Sequence, residues 1–168
     1  MSFHAGFLPE ERGDPERHKL IDRLRALADV YAEHGVRLAL ETGQETAATL
    51  LDVLAELERP GVGVNFDPAN MILYAMGDPV QALAALAPHV AQIHIKDATR
   101  TAVPGQWGSE VVVGTGQVDW TGFFAVVERE GLDCDLMIER EAGSQRVLDV
   151  NAARQHVLPL WSRGTLVP

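Results

Sequence analysis

Residues 62–67, Val62-Gly63-Val64-Asn65-Phe66-Asp67, followed at once by Pro68-Ala69-Asn70-Met71, form the stretch that decides the fold. Alternate residues of a strand point to opposite faces. One face of this run therefore carries Val64 and Phe66, and the other carries Asn65 and Asp67. The apolar face calls for a covering layer of helices, and the polar face ends in a carboxylate where proline breaks the strand.

Three more runs repeat the arrangement on either side. Val36–Glu41, Val90–Lys96 and Asp135–Glu139 are of strand length, and each splits into an apolar register and one that ends in an ionisable residue. Leu38 and Leu40, Ile93 and Ile95, Leu136 and Ile138 make the apolar register. Glu41, His94 with Lys96, and Glu139 close the other.

Helical patterns separate the strands. Asp14-Pro15 opens the first, an acid at the N-cap before a proline at the first helical position. It runs through Leu20, Ile21, Leu24, Leu27, Ala28 and Tyr31 to Gly35. Others cover Thr46–Glu58, a segment opened by Asp78-Pro79, one capped by Asp119 and ended by Gly131, and a last one over about Gln145–Trp161. The glycine-containing stretch Asp97–Val118 reads as a loop. Strands that alternate with helices long enough for crossovers imply βα units and a parallel sheet within a single domain over 1–168. The expectation is an α/β fold of about four to five parallel strands with alternating helices.

Composition narrows the function classes. Lys and Arg number 14 against 24 Asp and Glu, a net charge of −10 over 168 residues. Nucleic acid and anionic membrane surfaces are disfavoured partners, because both need a basic face. The longest stretch without Asp, Glu, Lys or Arg, Pro79–Ile95, is interrupted by Pro88 and predicts no transmembrane span. Cys134 is the only cysteine, so no internal disulfide or thiolate cluster forms, and nothing near the N-terminus marks the chain for export. The expected compartment is the cytoplasm.

Ionisable residues at the ends of four successive parallel strands converge on one side of the sheet, where α/β folds place their sites. Three carboxylates meeting there repel one another unless a cation neutralises them. Glu41, Asp67, His94 and Glu139 are therefore read as an oxygen-rich ligand set for one divalent ion, Mn, Mg, Co or Zn.

The segments LALETGQE around Glu41, VGVNFDPANM around Asp67, AQIHIKDATR around His94, GTGQVDW after residue 113 and LMIERE around Glu139 resemble those of the sugar phosphate isomerase and epimerase family, the xylose isomerase-like TIM barrels. The resemblance implies a metal held by Glu41, Asp67, His94 and Glu139, with Glu41 and Glu139 also catalytic, exchanging protons with a sugar through a metal-held enediolate. It also implies a substrate-binding role for Arg100, six residues beyond His94. Asn70 stands where many relatives have a histidine, and Ala47 where ketose epimerases can have a glutamate. His4, Lys96, Asn70, Trp107 and Glu110 complete the candidate substrate contacts.

The expected function is a divalent-metal-dependent isomerase or epimerase acting on a carbohydrate or related hydroxy-keto compound. The alternatives are a keto-sugar or inositol dehydratase or lyase, and a non-catalytic partial barrel that binds metal or only associates. A closed barrel of this kind takes about 250 residues and eight strands. By the resemblance, this chain matches its C-terminal half, starting at the end of the fourth strand near Phe3-His4. Val36–Glu41 and Asp135–Glu139 are expected to leave open edges that a homodimer buries.

Overall fold

The computed structural model describes residues 1–161. Five parallel strands form one curved sheet in the order β1-β2-β3-β4-β7: β1 (Ser2–Phe3), β2 (Leu38–Glu41), β3 (Val62–Phe66), β4 (Val90–Ile95) and β7 (Asp135–Ile138). Helices α1 (Pro15–Glu33), α2 (Ala47–Leu57), α4 (Pro79–Leu86), α5 (Trp120–Arg129) and α6 (Arg146–Val157) alternate with them. The result is a half-barrel, a partial (β/α)8 fold.

The core lies between the outer face of the sheet and the helices. Leu40, Val64, Phe66, Ile93 and Ile95 pack there with Leu50, Leu57, Leu83, Leu86 and Phe123, all buried. Side-chain caps set the helix starts: Asp14, Thr46, Asp78 and Asp119 each accept a backbone N–H of the first turn. Arg17 is buried on α1 and donates to Asp52 and Glu56 of α2 and to the carbonyls of Pro9 and Glu10. It thereby fastens the segment after β1 to the first two helices.

Four features differ from the reading of the sequence. First, β1 pairs with β2 through Ser2↔Ala39 and Phe3↔Leu40, so β2 is not an open edge. The open edges are the unpaired sides of β1 and β7, and Met137, on the inward face of β7, is 50% exposed. Second, β3 and β4 pair as Val64↔Val90 and then Asn65↔Gln92, a bulge that gives β4 one extra residue. Strict alternation puts Val90 in the register of His94. The bulge lets Val90 stay beside Val64 while Gln92 and His94 face inward.

Third, residues 97–118 are not a plain loop. They hold an antiparallel hairpin, β5 (Asp97–Thr99) with β6 (Ser109–Val111). Its organiser is Asp97, 1% exposed, whose carboxylate accepts the backbone N–H groups of Ala98, Gly114, Gly116 and Val118 and the Trp120 indole N–H. A β-carbon on Gly116 would lie 2.1 Å from Asp97 Oδ1, so the approach requires glycine. The short helix α3 (Pro68–Leu73) was also not foreseen.

Asp97→Ala leaves several buried donors without a partner and is expected to cost about 3 kcal/mol or more. Urea denaturation measures this. Asp78→Ala, which removes only a helix cap, is expected to cost about 1 kcal/mol.

Candidate metal centre

Glu41 ends β2, Asp67 follows β3, His94 lies on β4 and Glu139 follows β7, so each ligand candidate comes from a different strand at one end of the sheet. One ligand atom from each lies within 4.8 Å of every other. His94 Nδ1 is at the middle, 3.6 Å from Glu41 Oε1, 3.5 Å from Asp67 Oδ2 and 3.3 Å from Glu139 Oε2.

Local structure fixes each group. The Thr42 hydroxyl accepts the Asp67 N–H at 2.8 Å and donates to the Asp67 carbonyl at 3.1 Å, clamping the ends of β2 and β3 together. Asp67 divides its carboxylate between two tasks. Oδ1 caps α3 by accepting the N–H groups of Ala69 and Asn70 at 2.8 and 3.0 Å, whereas Oδ2 is buried with no hydrogen-bond partner. Glu41 Oε1 accepts from the Asn70 amide at 3.0 Å and lies 3.2 Å from His4 Nε2. The amides of Asn65 and Gln92 stand 3.0 and 3.3 Å from His94 Nε2 and hold the ring. The chain after Glu41 passes so close to α3 that a β-carbon on Gly43 would lie 2.3 Å from Asn70 Cβ.

A divalent cation fits this arrangement. His94 Nδ1 and Asp67 Oδ2 are buried polar atoms with no hydrogen bond, a costly state unless something else satisfies them. Ligand atoms about 2.0–2.2 Å from one ion stand roughly 3–3.5 Å apart, close to the spacing around Nδ1. Without an ion, a proton takes its place. Burial works against the charged imidazolium, but Asp67, Glu139 and Glu41 outweigh it and push His94 up to about 11.

The remaining charges follow the same electrostatics. Burial pushes Glu41 up, but His4 and His94 outweigh it and hold its carboxyl far below the usual range. Burial raises the Asp67 carboxyl. Glu139 is lowered by His94 and then by Lys96. Lys96, with a side chain only 3% exposed, reaches Glu139 Oε2 at 2.9 Å and also Glu141. Its ammonium is therefore paired with acids of the site.

The chain matches the model of the family described as xylose isomerase-like TIM barrel over residues 1–159. It belongs to that family. Within this xylose isomerase-like family, a xylose isomerase domain protein from Planctomyces limnophilus has 38% sequence identity and superposes with a TM-score of 0.87, over 95% of this chain and 56% of that one. The uncharacterized protein YihM of Escherichia coli is 34% identical over 92 residues, 54% of this chain and 28% of YihM. The 3-dehydroshikimate dehydratase of Bacillus anthracis is 28% identical over 86 residues, 49% of this chain and 30% of the dehydratase. The chain thus spans little more than half the length of the solved relative, and its matched segments cover less than a third of the curated ones.

The structure distributes the other candidates unevenly. His4 and Asn70 join the cluster through Glu41. Arg100 is exposed and donates to the Gly77 carbonyl at 3.0 Å. Glu110 receives the Arg140 guanidinium and the N–H groups of Glu141 and Ala142, so it ties the hairpin to the segment after β7. Trp107 is exposed against Tyr74. Thr42, Asn65, Gln92 and Glu45 were given no role by the sequence reading. Asn65 and Gln92 share the inward register with the ligands, which was the available signal.

Glu45 is 7% exposed, and burial raises its carboxyl to about 7. A raised folded-state value means that its contribution to stability is complete below about pH 4.5 and is lost as the pH rises through 7. Glu45→Gln is therefore expected to stabilise the protein by up to about 3 kcal/mol at pH 8 and to have little effect at pH 4, read by urea denaturation.

Metal binding must displace the His94 proton. Mn2+ affinity, measured by calorimetry, is expected to rise about tenfold per pH unit between pH 6 and 8, with one proton released. Asp67→Asn is expected to weaken it by about 100-fold or more. A pH-independent affinity would remove His94 from the ligand set.

Proposed function

We propose that this chain carries the metal-holding and proton-transfer residues of a divalent-metal-dependent isomerase or epimerase acting on a sugar or similar hydroxy-ketone. The observation that supports the reading is His94 Nδ1 facing three carboxylate oxygens at 3.3–3.6 Å, with the neighbouring Asp67 Oδ2 unpartnered. Glu41, Asp67, His94 and Glu139 would hold the ion. When bound, it polarises a carbonyl and stabilises negative charge developing on oxygen.

The residues of the chain supply the rest. Glu41 and Glu139 stand at the ends of β2 and β7, with two strands between them, so they address a sugar from two sides. Each is kept ionised, Glu41 by His4 and His94 and Glu139 by His94 and Lys96. One, as a carboxylate, would take a proton from the carbon beside the carbonyl, and the other, after taking up a proton from solvent, would deliver it to that or the adjacent centre. The half-exposed His4 ring, hydrogen-bonded to Glu41, links that acid to solvent protons. Arg100, which is exposed, is assigned to the substrate only by the resemblance of its position six residues after His94.

A second reading draws on the similarity to 3-dehydroshikimate dehydratase. The same proton abstraction, followed by protonation and departure of a hydroxyl β to the carbonyl, releases water.

The test is a set of Mn2+-loaded reactions in deuterated water with a panel of ketoses and 3-dehydroshikimate, followed by NMR and mass spectrometry. Deuterium entering carbon beside the carbonyl without loss of water is the expected result. Loss of water with a new ultraviolet absorption would move the assignment to a dehydratase, and no reaction by a chain that binds Mn2+ would leave a non-catalytic partial barrel. Glu139→Gln is expected to lower kcat by about 100-fold or more.

A further inference from the structure

Three aromatic side chains, on segments that follow β1, β3 and β4 at the same end of the sheet as the candidate metal centre, form a row. Phe7 follows β1, Tyr74 ends α3, and Trp107 sits in the hairpin between β5 and β6. Phe7 and Tyr74 meet edge to face with centroids 6.1 Å apart, and Tyr74 and Trp107 do so at 5.1 Å. Phe7 is 57% and Trp107 64% exposed. Large aromatic surface left in water in a contiguous row, on an otherwise acidic chain, marks a place where something apolar binds.

The row is held firmly although it is exposed. The Gly108 N–H donates to the Leu73 carbonyl at 2.9 Å, and the Arg100 guanidinium donates to the Gly77 carbonyl at 3.0 Å. The hairpin is thus fastened to both sides of Tyr74. A β-carbon on Gly108 would lie 2.2 Å from the Thr99 carbonyl oxygen, so the residue after Trp107 is committed to this close approach.

The same segments that carry the aromatics carry the site. His4 and Phe7 are three residues apart on one connection, and Asp67 and Tyr74 cap the two ends of α3. At about 1.5 Å per residue, the seven steps from Asp67 to Tyr74 span roughly 10 Å, the reach of a ligand with two linked rings. Tyr74 and Trp107 present ring faces and edges, which suit the C–H face of a pyranose or an aryl group.

We propose that Phe7, Tyr74 and Trp107 form an aromatic subsite for a second ring joined to the sugar at the metal centre, so that the preferred ligand is a glycoside or disaccharide whose metal-bound ring carries a ketone, rather than a free monosaccharide. This rests on the sugar reading of the metal centre given above. The apolar ring is the shared chemistry, and it comes either from an aryl aglycone or from a second sugar.

The experiment uses the full chain with and without Mn2+. Binding of methyl and phenyl β-D-glycosides of glucose and galactose, and of the disaccharides cellobiose and lactose, is measured by calorimetry and saturation-transfer NMR. Phenyl glycosides, disaccharides or both are expected to bind at least about tenfold more tightly than methyl glycosides, with saturation strongest on the second ring. Preference for phenyl identifies an aryl aglycone, and preference for disaccharides identifies a second sugar. Trp107→Ala, a change at an exposed position, is expected to erase that preference while leaving Mn2+ affinity unchanged.

Equal affinity for one-ring and two-ring ligands, or a preference that survives both Trp107→Ala and Phe7→Ala, overturns the subsite while methyl glycoside binding still reports a sugar site. Failure of the sugar reading looks different: no glycoside binds at any Mn2+ concentration, and the subsite falls with it.

Discussion

Three carboxylates aimed at one imidazole nitrogen are the constraint around which the rest of this half-barrel is organised. Like charges held this close repel, so each must be fixed by bonds to its own surroundings. Asp67 shows the solution most clearly, spending Oδ1 on the cap of α3 and leaving Oδ2 free. Thr42 holds the backbone of that residue from both sides, and Asn70, one turn into the same helix, holds Glu41. Lys96 offsets part of the negative charge at the open end, where Glu139 is more accessible.

Because the strands are parallel, ligands from four of them can be gathered only if their registers agree. The bulge in β4 is what makes them agree: it moves one residue out of the count so that His94 faces the same side as Glu41 and Asp67 while Val90 remains beside Val64. A candidate metal centre and a packed outer face then coexist on strands of four to six residues. The chain's membership of the xylose isomerase-like family is consistent with that division of labour, with stability on the helix-covered face and chemistry at the strand ends.

Much of this was legible in the sequence because alternation is a strong signal. Val64, Phe66, Ile93 and Ile95 announced the covered face, and Glu41, Asp67, His94 and Glu139 announced the other. What was not legible depended on contacts between distant segments. Nothing local marks Thr42 as a clamp, and although alternation puts Gln92 on the face of His94, nothing in the pattern marks its amide as a support for the ring. The hairpin was hidden because β5 and β6 have only three residues each and no apolar alternation, while the turn after them is organised by contacts to Asp97 from residues 17 and more positions away. Pro68 looked like a simple strand end, yet it is the first residue of α3, since its missing N–H costs nothing at that position.

Asp97 has one further consequence. Peptide N–H groups of Gly114, Gly116 and Val118 wrap around its carboxylate, much as such groups elsewhere wrap around a phosphate. Here the anion is built into the chain and cannot leave. The glycine-rich turn is therefore a filled cradle, with those donors already committed, and a phosphorylated sugar would have to find its cationic partners in another part of the mouth.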